Sequence, residues 1–154
     1  MKNFKKDLVI SAAAGISLLL SAALLLRPIG EILVRIFPSE NEDDVRIDLI
    51  LPLYLICYLI GLAVSYAAVK YLMRYPHYKK LNATQNHIGF SIIAPFFLVG
   101  GFILSSAVFL ATDISGDFLI ISILTLFLGL ASTGAYFISL KINTPPRPTS
   151  KIKS

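Results

Sequence analysis

Four uninterrupted apolar runs occupy residues 8–26, 49–69, 88–111 and 118–140, and every charged side chain lies between or outside them. The runs are 19, 21, 24 and 23 residues long. At 1.5 Å per residue, about 20 residues cross the roughly 30 Å hydrocarbon core of a bilayer, so each run is long enough to span it as a helix. The runs are apolar on all faces, whereas barrel strands alternate polar and apolar over about 10 residues. The pattern therefore predicts an all-α, polytopic membrane protein, a bundle of four transmembrane helices in one domain over residues 1–154.

The polar positions between the runs predict the orientation. Lys2, Lys5 and Lys6 precede the first run; Lys70, Arg74, Lys79 and Lys80 join the second to the third; Lys141, Arg147, Lys151 and Lys153 follow the fourth. On the other side stand only Arg27, Arg35 and Arg46. The positive-inside bias then places both termini in the cytoplasm of a plasma (inner) membrane. The first run exceeds the 7–15 apolar residues of a signal peptide, and Arg27-Pro28-Ile29-Gly30 offers no small-residue cleavage site, so a retained anchor is expected.

The first outer loop, residues 27–48, carries local order of its own. Ile29, Ile32, Leu33, Ile36 and Phe37 fall on one helical face behind Pro28, and Glu31 and Arg35 form an i,i+4 pair on another. This spacing predicts a short interfacial helix, or a bent extension of the first span, ending at Pro38. Ser39 and Glu42 fit a capping box at the start of a helix leading into the second span. The acids Glu40, Glu42, Asp43 and Asp44 also admit a cation-site reading, but they lack the glycine and alternating acids of an EF-hand loop.

On the basic side, Tyr71, Tyr75 and Tyr78 interleave with Lys70, Arg74, Lys79 and Lys80 ahead of the third span. Such a belt anchors to anionic lipid headgroups at an interface, as does the proline-rich basic tail over 141–154, which is expected to be disordered. His77 and His87 read as solvated loop histidines. Ser115 or Asp117 can cap the fourth helix.

Composition adds two exclusions. With 56% hydrophobic and 15% charged residues, the chain departs from the roughly 25% charge of soluble domains. The net charge of +5 is confined to the membrane-flanking segments, so it does not indicate nucleic acid. Cys57 is the one cysteine; it falls within the second run and reads as a small packing residue.

Small residues at four-residue steps predict close helix contacts: Ser11 with Gly15, Ala13 with Ser17 and Ser21, Gly61 with Ser65, Gly101 with Ser105, and Thr125 with Gly129 and Thr133. Pro52 and Pro95 are the two breakers, and Pro95 is expected to kink the third span.

No ionisable residue lies within the four runs, and no paired carboxylates or Ser–His or Cys–His arrangement can form at one membrane depth. No catalytic, cofactor-binding or metal-ligating residue is therefore assigned. The leading expectation is a non-enzymatic accessory, regulatory or partner-binding subunit that acts through helix and loop contacts with a membrane protein or a second copy. The alternatives are a small oligomeric channel or transporter lined by hydroxyls such as Ser122, Thr125, Ser132 and Thr133, and a lipid-active interfacial enzyme using Arg27, Glu31, Asp113 or Asp117.

Overall fold

The computed structural model describes residues 2–38, 47–78, 82–112 and 117–144. The capping-box and acidic positions 39–44, Lys79, Lys80, Asp113, Ser115 and the proline-rich tail from 145 onwards lie outside the described residues.

Four helices make up the described chain: α1 (Lys2–Ile36), α2 (Ile47–Leu72), α3 (Ala83–Thr112) and α4 (Asp117–Asn143). There is no strand among the described residues. Each helix contains one segment long and apolar enough to cross a membrane: Phe4–Ile36, Leu51–Leu72, Ala83–Val108 and Leu119–Asn143. Only 17–28% of each segment's most apolar window is buried within the protein. The remaining surface carries residues such as Leu24, Leu51, Phe96 and Leu110, all more than three-quarters exposed. Apolar area on that scale is stable only in an apolar solvent.

The helices outrun the apolar runs at their ends. Of the two forms expected for 29–37, a separate interfacial helix or an extension of the first span, the structure has the extension: α1 passes Pro28 without a break and ends at Ile36. Proline removes one backbone donor, yet the turn around it is braced: Arg27 Nε donates to Glu31 Oε1 at 3.1 Å. A Cβ built on Gly30 would lie 3.7 Å from Leu53 Cδ2, so this extension still runs against the start of α2. At the other boundary α3 begins five residues before its apolar run, where Asn82 Oδ1 caps the Gln85 amide at 3.4 Å.

Helix α1 packs against α2 on one side and α4 on the other; α3 packs on α4, while α2 and α3 touch only lightly. The contacts fix an antiparallel order. Phe4 stacks edge-on with Phe137, and Ser65 donates to the Ala14 carbonyl at 2.9 Å. Built Cβ atoms on Gly61 and Gly101 would meet Leu18 and Ala131 at 2.9 Å. One end therefore gathers the start of α1, the end of α2, the start of α3 and the end of α4. Three of its cations lie over aromatic rings: Lys70 over Tyr66, Arg74 over Tyr71 and Lys141 over Phe137. The stems of such side chains cover apolar surface while their heads reach water, and Lys70 and Lys141 also complement the C-terminal ends of their helices.

The core occupies the half of the bundle nearest this basic end. Ile10, Ala14, Leu18, Val69, Phe90, Ala94, Ala135, Tyr136 and Leu140 form one buried cluster. Small residues let the helices close on it: Ser11, Ser65, Ser132 and Ser139 are all fully buried. Thr125 departs from the expected contact stripe, since its hydroxyl turns back to the Ile121 carbonyl and the residue is exposed.

Candidate functional site

The light contact between α2 and α3 organises the two most distinctive regions. Near the basic end the seam is closed by three polar rungs about one turn apart. Tyr66 and Thr84 hydroxyls meet at 3.1 Å, His87 Nε2 lies 3.2 Å from the Leu62 carbonyl, and the Tyr58 hydroxyl donates to the Ser91 carbonyl at 3.1 Å. Beyond Tyr58 no further rung is recorded among the described residues. Pro95 stands one turn past Ser91, where a proline-induced bend would carry α3 away from α2.

His87 was expected as a solvated loop residue and is instead buried, at 8% exposure. The cause is the early start of α3, which turns His87 into the bundle one residue ahead of the apolar run. Its ring sits in an aromatic cage of Tyr66, Phe90 and Tyr136, with centroids 5.2, 5.4 and 5.8 Å away. When the Nε2–H tautomer donates to Leu62, Nδ1 is left as a bare acceptor, and it has no partner among the described residues. The Tyr136 and Ser132 hydroxyls are likewise buried without partners among the described residues. His77 is exposed, and no group of three potential metal ligands occurs among the described residues.

Where the rungs stop, the seam opens into a cleft of about 460 Å³ in the half of the bundle away from the basic end. Its floor is α1, from Leu18 to Leu26, and its α2 and α3 walls are Tyr54, Tyr58, Val99 and Phe102. Cys57 lines it as a buried side chain, consistent with the small packing role expected for it. Thr125 reaches the cleft from α4, so the hydroxyls named for a pore do not share one face. Ser132 is buried in the core and Thr133 packs on Gly15.

A second concavity lies on the outer face of α3 and α4. Gly100, Gly101 and Ala131 form its floor, with Phe96, Leu104 and Leu130 as walls. A Cβ on Gly100 would meet nothing within 4 Å, so this glycine leaves α3 bare on the lipid side, whereas Gly101 is used internally against Ala131. The consecutive glycines thus face two ways, which a one-dimensional small-residue pattern does not distinguish.

Of the interfacial residues, Arg27 and Glu31 form an exposed ion pair, with Arg35 two turns beyond Arg27 on the same helical face. Asp113 and the side chain of Asp117 lie outside what the structure describes, so a converging acid cluster is not among the features seen. Comparison with family models, curated proteins and solved structures finds no match to this chain.

Proposed function

We propose that this protein is a non-enzymatic, multi-pass membrane subunit that works by contact with another transmembrane segment, and that the α3–α4 face at Gly100 is where that segment sits. The observation that carries this reading is the groove itself: a floor of glycine and alanine between bulky walls. In lipid there is no hydrophobic drive between helices, so association depends on backbones approaching closely over small residues. Gly100 supplies that approach on a face where the bundle makes no use of it.

In this reading both termini are cytoplasmic in a plasma (inner) membrane, which the gathering of Lys5, Lys6, Lys70, Arg74 and Lys141 at one end supports. The α1 extension past Arg27 then stands at the outer interface. The partner is a membrane protein or a second copy of the chain. The distribution of Thr125, Ser132 and Thr133 over different surroundings gives a channel less support.

Purification in mild detergent with crosslinking tests the proposal. The native chain should be captured as a dimer or with a membrane-protein partner, and Gly100→Leu should remove that species while leaving helicity and elution of the monomer unchanged. A native chain that runs only as a monomer, with no crosslinked species, overturns it.

A further inference from the structure

The cleft between α2 and α3 lies on a different side of the bundle from the Gly100 groove, and its chemistry differs. We propose that it holds an acyl chain of a zwitterionic glycerophospholipid, whose phosphate meets Arg27 and Arg35 and whose ammonium meets Glu31 at the cleft's upper end.

The occupant is apolar because the lining is mostly aliphatic and aromatic, and two of its three hydroxyls are already used, leaving only that of Tyr54. The Tyr58 hydroxyl is given to Ser91 and the Thr125 hydroxyl to its own helix. The volume of about 460 Å³ falls within the roughly 300–1,000 Å³ of ligand cavities. A partner helix fits poorly, since the α2 and α3 rims are Tyr54, Tyr58, Val99 and Phe102 rather than the small residues that let two backbones meet. A flexible hydrocarbon chain has no such requirement.

The headgroup assignment comes from continuity. Leu26 belongs both to the cleft and to the adjoining polar face of α1, on which Arg27, Gly30, Glu31 and Arg35 follow one another. From Leu18 to Leu26 the floor runs about 12 Å along the helix axis, and Arg27 stands about 28 Å from Leu8, at headgroup depth. A hydrocarbon chain lying on this floor therefore ends where the charges begin. Arginine forks match phosphate oxygens, and Glu31, which pairs with Arg27 at 3.1 Å on this exposed face, can exchange that contact for an ammonium as Arg27 turns to the phosphate.

The test uses the full-length chain in nanodiscs of phosphatidylethanolamine doped with the same lipid carrying a photoactivatable group in its acyl chain, followed by peptide mapping of the adducts. Adducts at Tyr54, Val99 and Phe102 should exceed those at Leu55 and Ile103, which face outward on the same helices, by several-fold. Equal labelling of both sets, as annular lipid would give, overturns the proposal. Ala22→Phe, which fills the floor, should abolish the excess, while Gly100→Leu should leave it intact; this separates the cleft from the partner-binding reading. In native mass spectrometry, retained phosphatidylethanolamine should fall several-fold in the Arg27→Gln, Arg35→Gln double variant. Glu31→Gln should shift retention towards phosphatidylglycerol. Preferential retention of phosphatidylglycerol by the native chain, or a copurifying peptide crosslinked within the cleft, overturns the assignment.

Discussion

Gly15 and Thr133 meet at the α1–α4 crossing with no room for a side chain between them: a Cβ built on Gly15 would lie 2.6 Å from the Thr133 amide nitrogen and 2.7 Å from its Oγ1. The Thr133 hydroxyl is held by the Gly129 carbonyl at 2.8 Å, and the atom nearest the added carbon is backbone. Neither can move aside cheaply. Gly15→Ala should therefore force the two helices apart at a cost of about 1–3 kcal/mol, the usual range for overpacking. Gly100→Ala should cost little, because the added methyl enters open space. Reversible unfolding in mixed micelles, with both variants in parallel, reads the difference; equal destabilisation would contradict the close crossing.

The hydroxyls divide into those that bridge helices and those that do not. Ser65 joins α2 to the Ala14 carbonyl and Tyr58 joins α2 to the Ser91 carbonyl, so Ser65→Ala and Tyr58→Phe should each destabilise by about 0.6 kcal/mol, and by no more than about 1.7. Tyr136 is fully buried, yet its hydroxyl has no partner among the described residues. Removing an unsatisfied buried polar group relieves its desolvation penalty. Tyr136→Phe should therefore be neutral or stabilising, and a loss as large as that of Tyr58→Phe would show that the hydroxyl is engaged.

The four-helix layout was readable because charge and hydropathy change together at each span boundary. Gly15, Gly61 and Gly101 were readable too, since a glycine in a membrane helix has few uses besides close packing. The reach of α3 was not. His87 precedes the apolar run and looks like a loop residue, and only the helix started by Asn82 turns it inward among three rings. The cleft was also hidden, because Tyr54, Val99 and Phe102 match the composition of lipid-facing residues. Their placement depends on α2 and α3 separating, and no local pattern encodes a separation. The α1 extension was half readable: the period at 29–37 is helical and fusion with the first span was one of its two readings, but Pro28 suits either, and the choice depends on packing against α2 at Leu53.

The His87 cage gives a third contrast. His87 packs on Tyr66, Phe90 and Tyr136 and contributes a bond to the Leu62 carbonyl, which as a helical carbonyl already serves the amide one turn on. Most of its contribution should then be packing. His87→Ala leaves a void and should cost about 2 kcal/mol or more, whereas His87→Phe should retain most of the stability. Thermal unfolding in detergent orders the two, and a Phe variant as damaged as the Ala variant would indicate that the imidazole nitrogens matter more than the ring.

The placement of the basic end on the cytoplasmic side has its own test, made simple by the single cysteine. Cys57 is 1% exposed, so it should react with no water-soluble maleimide whichever way the protein faces. In a Cys57→Ser background, Val34→Cys would lie on the exposed α1 extension and Lys141→Cys at the opposite, basic end. A membrane-impermeant maleimide added to intact cells should label the first and not the second, with Lys141→Cys reacting once the membrane is permeabilised. The proposed orientation rests on the eleven cations of the three basic segments, against three arginines on the other side. Adding lysines beside Arg46 should erode it and yield a mixed population labelled at both positions. The reverse pattern in the otherwise native chain would sink the cytoplasmic placement of both termini.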